Sequence, residues 1–216
     1  CTTKDDFSLH NTDFFCVPRN RVADFTTTSG TTGQPVTVAL TEGDLQRLAY
    51  NEERSFVCAN GNADDVYQLM LTLDRQFMAG MAYYLGIRKM AAGAVRVGPV
   101  SPQMQWENIA RFKPTALVVV PSFLIKMIEY ADANGIDYNG SGIQKAVCIG
   151  EPIRKADLTE NILAQRIREK WKLPLFSTYA STEMQTAFTE CEHGAGCHHR
   201  PELIRVEILD DEGNQL

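Results

Sequence analysis

No apolar run in this sequence is long enough to cross a bilayer. Stretches such as residues 116–121 (ALVVVP) fall far short of the roughly 20 residues a membrane helix requires. An apolar signal-peptide core is also missing, and the chain opens on Cys1 rather than Met, so processing or a missing upstream segment is expected. Basic clusters are absent too. The 21 Lys and Arg residues are outnumbered by 27 Asp and Glu, a formal charge of −6, which argues against nucleic acid as a partner. Neither an internal repeat nor a low-complexity linker occurs. With 44% hydrophobic and 22% charged residues, collagen-like, fibrous and disordered classes drop out. A chain of 216 residues can bury a core without covalent staples. The six cysteines fit that picture: Cys58 falls in a helical pattern and Cys148 in a strand-like run, positions typical of reduced, buried thiols. A reducing compartment, the cytoplasm, is expected, with no membrane association.

What is present is alternation. Thr41-x-x-Asp44 has the form of a capping box, and Leu45, Leu48, Ala49 and Phe56 supply the stripe of a helix. Residues 66–73 (VYQLMLTL) read as a buried strand, 78–90 as a small-residue helix, 94–97 as a strand and 102–112 as a helix. The run 116–120 (ALVVV) is the clearest strand, followed by a helix marked by Phe123, Leu124, Met127, Ile128 and Ala131 and ending near Gly135. A strand at 146–149, a helix at 158–171 and a strand at 175–179 continue the pattern. Unalternating apolar strands separated by helices predict an α/β fold with a largely parallel sheet and helices on both faces. Residues 203–209 run into Asp210-Asp211-Glu212-Gly213, a turn signal after which a hairpin should follow, so the sequence is expected to stop within an incomplete β-hairpin.

Residues 26–35 (TTTSGTTGQP) hold five threonines, a serine and two glycines. Glycine-freed backbone N–H groups and small hydroxyls are suited to cradling an anion, and a hydroxyl-rich hairpin is the competing reading. The Walker spacing G-x-x-x-x-G-K-[ST] does not occur. In its order, Thr28-Ser29-Gly30-Thr31-Thr32-Gly33-Gln34-Pro35 resembles the phosphate-binding signature of the adenylate-forming, acyl-CoA-synthetase superfamily. It departs at Gln34, where that family often has lysine.

Two further segments carry the resemblance. Tyr179-Ala180-Ser181-Thr182-Glu183 follows a strand, where ligand sites of open α/β sheets gather; taken alone it reads as a helix cap with an acidic first turn. The family implies that Tyr179 stacks on adenine, Thr182 contacts phosphate and Glu183 helps hold Mg²⁺, which makes Thr182 and Glu183 the catalytic candidates. Gly150-Glu151-Pro152 resembles the segment lining the adenine pocket, although alone it is an ordinary turn. Residues 119–123 (VVPSF), and Glu190-Cys191 followed by a glycine and a histidine, resemble the phenylacetate–coenzyme A ligase branch. The resemblance implies ATP-dependent activation of a small carboxylic acid, aromatic by resemblance, and its transfer to coenzyme A. It also implies a ribose-binding aspartate and a C-terminal-domain lysine. Neither motif is found by Leu216, so residues 1–216 are expected to be a partial N-terminal nucleotide- and acyl-binding domain without its C-terminal domain, weak in nucleotide binding and poor in turnover by itself. A homodimer remains an option.

Cys191, His193, Cys197 and His199 crowd into nine residues (CEHGAGCHH) and offer two thiolates and two imidazoles, a donor set suited to structural Zn²⁺. Cys148 or His198 could substitute, and a structural cysteine and histidine without metal is the other reading. Nucleophilic Cys–His catalysis ranks below zinc. A noncatalytic, zinc-stabilised nucleotide- or ligand-binding module on the same fold is the alternative to the ligase.

Overall fold

The computed structural model describes residues 2–28 and 35–216. A short helix, α1 (Lys4–Leu9), opens it on a capping box: Thr3 Oγ1 accepts from the Asp6 N–H at 3.1 Å, and Asp6 Oδ2 accepts from the Thr3 N–H at 2.9 Å. Strands β1 (Asp24–Thr27) and β2 (Thr37–Leu40) form an antiparallel pair ending at Thr27 opposite Thr37. Helix α2 (Glu42–Cys58) begins at the expected box, with Thr41 Oγ1 accepting from the Asp44 N–H at 3.3 Å and Asp44 Oδ2 from the Thr41 N–H at 2.9 Å.

The alternation then runs β3 (Val66–Leu69), α3 (Met78–Lys89), β4 (Gly93–Arg96), α4 (Pro102–Phe112), β5 (Ala116–Val119), α5 (Pro121–Asn134), β6 (Lys145–Cys148), α6 (Ile162–Lys170) and β7 (Leu175–Ser181). Strands β8 (Thr186–Glu190) and β9 (Cys197–His198) complete it. Among the described residues the main sheet has seven strands in the order β4-β3-β5-β6-β7-β8-β9. From β4 to β7 they are parallel, and β8 and β9 add antiparallel.

Both faces are covered, as the unbroken apolar strands require. Ala116 and Val118 face one way and pack with Phe56 of α2 and Tyr83 and Ile87 of α3. Leu117 and Val119 face the other way, toward Trp106 of α4, Leu124 and Met127 of α5 and Ile167 of α6. Period-two alternation thus feeds two cores, and burying each such side chain contributes about 1.5–3 kcal/mol.

Helices α2 and α3 meet at Gly86. A Cβ there would lie 2.3 Å from Glu52 Cβ and 2.9 Å from the Glu52 carbonyl carbon, so the approach depends on glycine. Gly86→Ala is expected to destabilise the chain by about 1–3 kcal/mol through overpacking, read as a lower urea midpoint at unchanged slope.

Some boundaries differ from the sequence reading. The strand expected over 66–73 ends at Leu69, and the chain then bends through Arg75 and Gln76, both at positive φ. The helix expected from 158 starts at Ile162. Leu158 has φ +65°, an Arg154–Glu160 bridge occupies the preceding residues, and Asn161 caps the helix by accepting from the Leu163 and Ala164 N–H groups. Residues 203–209 form no strand of the main sheet. Their turn closes with a single Leu209–Gln215 bridge, and Asp210 Oδ1 accepts from the Glu212 and Asn214 N–H groups. Among the described residues no helix is long and apolar enough to cross a membrane.

Candidate active site

The carboxyl ends of β5, β6 and β7 lie side by side, because Val119 pairs with Cys148 and Cys148 with Ser177. Three segments singled out in the sequence therefore meet at one edge of the sheet: Ser122 after β5, Gly150-Glu151-Pro152 after β6, and Tyr179 to Glu183 at the end of β7. A crevice at this edge is where open α/β sheets bind ligands.

Each segment is held differently. The Glu151 carboxylate is fully engaged: Oε2 accepts from the Ser122 N–H at 2.9 Å and Oε1 from Ser122 Oγ at 2.8 Å, so it caps the N-terminus of α5. Gly150 makes the turn at φ +75°, and the Pro152 carbonyl accepts from Asn161 Nδ2 at 2.6 Å. Tyr179 belongs to β7 itself. The residue is 61% exposed and its ring lies 6.1 Å from that of Phe188, an exposed position open to stacking.

The turn from β7 to β8 carries Thr182 and Glu183. Ser181 Oγ accepts from the Met184 N–H at 3.2 Å, and Gln185 sits at φ +52°. At the far end Thr186 Oγ1 donates to Asn51 Oδ1 at 2.7 Å. The Glu183 side chain is one-third exposed, and its Oε1 lies 3.7 Å from Lys4 Nζ. It lines a cleft of about 590 Å³ with Lys4 and Phe7 of α1, Phe15, Thr37 of β2 and Gln185. That volume is in the range of a small-molecule site. Lys4 was not among the sequence candidates; the Thr3-x-x-Asp6 capping box was the available sign of the helix that carries it.

Thr28 is buried, and it fixes the neck of the hydroxyl-rich segment. Its N–H donates to the Val36 carbonyl at 2.9 Å, and its Oγ1 accepts from the Val36 N–H at 3.0 Å. Ser29, Gly30, Thr31, Thr32, Gly33 and Gln34 lie outside the described residues.

The zinc expectation finds no support in the structure. Among the described residues, no group of three or more His, Cys, Asp or Glu side chains is arranged to hold a metal ion. Cys191, His193, Cys197 and His199 are near in sequence, but the loop spends its side chains elsewhere. Cys197 Sγ lies 3.9 Å from the Ser177 carbonyl oxygen, and the His199 ring packs 6.0 Å from Phe188. A fixed cation is also built into the loop. Arg154 Nε donates to the buried Glu190 Oε1 at 2.7 Å, and the guanidinium lies so near Gly194 that a Cβ there would come within 2.7 Å of Nη2. Burial and the Glu190 carboxylate push the Cys197 thiol up, which disfavours a thiolate for metal binding or nucleophilic attack. Cys148 is fully buried in the core, where burial pushes its thiol up to about 12, and it joins no group of metal-ligating side chains among the described residues.

Geometry and motif order define one class: the chain belongs to the AMP-binding enzyme family, whose match covers residues 5–216. Within it, the chain is similar to phenylacetate-coenzyme A ligases. It is 28% identical to that of Escherichia coli over 158 residues, 72% of this chain and 36% of that protein. It is also 28% identical to that of Thermus thermophilus over 224 residues, 100% of this chain and 48% of that protein. The chain therefore spans about half or less of the length of these curated relatives. Among solved structures, a 2-hydroxyisobutyryl-CoA ligase in complex with 2-HIB-AMP and CoA superposes with a TM-score of 0.77 at 21% identity, over 90% of this chain and 42% of that one. A long-chain-fatty-acid-CoA ligase from Archaeoglobus fulgidus gives 0.69 at 19%, over 90% and 39%. At these identities the superpositions establish the fold, in agreement with the α/β reading of the sequence.

Proposed function

We propose that this chain supplies the nucleotide- and acyl-binding part of an ATP-dependent carboxylate–coenzyme A ligase. The acid's carboxylate oxygen attacks the α-phosphorus of ATP, and pyrophosphate leaves as the new O–P bond forms. The thiol sulfur of coenzyme A then attacks the acyl carbon, the thiol proton passes to solvent, and AMP leaves. An aromatic acid is the proposed substrate class, by similarity to the phenylacetate-coenzyme A ligases.

The observation that carries this reading is the position of Glu183, on a turn at the sheet's carboxyl edge, lining the same cleft as β2 and beside Lys4. Its partly exposed carboxylate, already paired with a cation, fits a hard dication that takes oxygen ligands. Bound there, Mg²⁺ would be held by Glu183 and would neutralise phosphate charge. Thr182 offers a hydroxyl to phosphate, Tyr179 a face to adenine, and Gly150-Glu151-Pro152 a wall at the neighbouring strand. Ser29 to Gly33 would meet the outer phosphates from the neck fixed by Thr28. Positioning and charge complementarity supply most of the catalysis in such transfers. The described cysteines are all free, which suits a reducing, cytoplasmic setting.

The test is calorimetry with ATP and Mg²⁺, and pyrophosphate exchange with a panel of aryl acids, on the whole protein and on Glu183→Ala. Exchange is expected to fall roughly a hundredfold in the variant. Equal exchange in both proteins would remove Glu183 from the mechanism, and no ATP binding by either would overturn the ligase reading.

A further inference from the structure

Glu52 is buried on α2 with 3% exposure, under the β7–β8 hairpin and against α3. Its Oε1 accepts from Asn51 Nδ2 at 3.3 Å, and Oε2 has no partner among the described residues. From Asn51 the chain of contacts continues to β8, because Asn51 Oδ1 accepts from Thr186 Oγ1 at 2.7 Å. Thr186 is the first residue of β8 and pairs with Ser181 across the turn that carries Thr182 and Glu183. A second line leaves from Tyr83 on α3. Buried near Glu52, Tyr83 lies beside Thr178, the residue before Tyr179, and Thr178 Oγ1 lies 3.3 Å from Thr189 Oγ1. The two lines end on the two flanks of the segment from Tyr179 to Gln185.

We propose that Glu52 is a positioning residue for the nucleotide site: with Asn51 and Thr186 it fixes the start of β8, and beside Tyr83 and Thr178 it fixes the approach to Tyr179. This rests on the reading of that segment as nucleotide-binding. A glutamate buried without a cation is held neutral when its surroundings cannot solvate a charge. Burial pushes Glu52 up to about 8, and the Asn51 amide opposes that only in part. Tyr83 is the titratable group facing it from α3, and burial raises the phenol well above its ordinary value. From β7 and β8 the facing groups in this network are the Thr178, Thr186 and Thr189 hydroxyls, and no charge from these elements offsets the burial. The folded value stands above the ordinary 4.5, so the stabilising contribution is full below that value and is lost as pH rises toward about 8. Above about 8 an anion would sit in the network with one amide as donor, and the hairpin would loosen.

The test uses the whole protein, Glu52→Gln as the neutral isostere, Glu52→Ala, and Thr186→Val, which cuts the link without altering the carboxyl. Mg–ATP affinity is measured from about pH 7 to about pH 9.5, with hydrogen exchange of residues 178–187 followed alongside. Wild-type affinity and exchange protection are expected to fall roughly tenfold over that span relative to Glu52→Gln, whose profile stays flat. Glu52→Ala is expected to lose protection at every pH, and Thr186→Val to lose the break near pH 8. Parallel profiles for wild type and Glu52→Gln, or full protection in Glu52→Ala, would overturn the proposal. If neither wild type nor Glu52→Gln binds ATP, the nucleotide reading falls, and the exchange comparison still decides whether Glu52 holds the hairpin.

Discussion

Replacing Lys145 with methionine is expected to lower stability by about 3–5 kcal/mol, a fall in melting temperature on the order of 10 °C for a chain of this size. Lys145 Nζ lies 2.7 Å from Asp65 Oδ2 and 2.6 Å from the Asn60 carbonyl oxygen, beneath the amino ends of β3 and β6. Asp65 is further bound by Thr115 Oγ1 at 2.7 Å and by the Asn62 N–H at 3.0 Å. Both charged side chains are nearly fully buried. Burial pushes Asp65 up, but Lys145, Thr115 and Asn62 together hold it below its ordinary value. The sign of the pH dependence follows. In the wild type this pair contributes above the ordinary carboxylate range and loses its contribution as pH falls through the depressed value. Without Lys145 the burial penalty is no longer countered, so Asp65 takes up its proton more readily and the deficit narrows as pH falls. Urea melts at about pH 7.5 and about pH 5 check this, and a deficit that widens on acidification would contradict it. Lys145→Met with Asp65→Asn should recover much of the loss, because the harm lies in the stranded charge.

The parallel core and one half of the site were legible in the sequence because their signals are local. Residues 116–120 have no reason to be uniformly apolar unless both sheet faces are covered, and Thr41-x-x-Asp44 marks a helix start by chemistry confined to four residues. What could not be read depends on partners far along the chain. The Cys/His run had the right donors for zinc, yet the nearest fixed charge, Arg154, comes from before α6 and reaches the loop only because Glu190 lies beneath it. Glu52 falls at the helical spacing of the Leu45, Leu48, Ala49 and Phe56 stripe, but that it is an acid buried without a cation depends on the packing of α3 and the β7–β8 hairpin. Tyr179 to Glu183 resembled a helix cap in isolation; Ser181 and a left-handed Gln185 turn it into a hairpin instead. Helix α1 was written in the same four-residue grammar as α2, but without an apolar stripe to draw attention to it.

Arg154→Leu should be the second most damaging change, by about 3 kcal/mol, and its effect should reach the candidate nucleotide site. The guanidinium is the cation bound to Glu190, a residue only 1% exposed at the end of β8. Glu190 Oε2 accepts from the Ser177 N–H at 3.1 Å, so the same carboxylate ties β8 to β7 just before Thr178 and Tyr179. Arg154 Nη1 also lies 3.8 Å from Glu160 Oε1, but that pair is more exposed, and Arg168 Nε already sits 2.6 Å from the same oxygen. Losing the Glu160 contact should therefore matter little. Removing Arg154 leaves Glu190 buried with the Ser177 amide as its remaining donor, and the strand ends must part to admit water. Faster hydrogen exchange is expected at residues 177–190 together with a lower melting temperature, while β4, at the other edge of the sheet, keeps its protection. Arg154→Leu combined with Glu190→Gln should restore most of the stability, since the glutamine can keep the Ser177 hydrogen bond without a charge. A double variant no more stable than the single one would show that Arg154 acts through its packing beside Gly194 rather than through the ion pair.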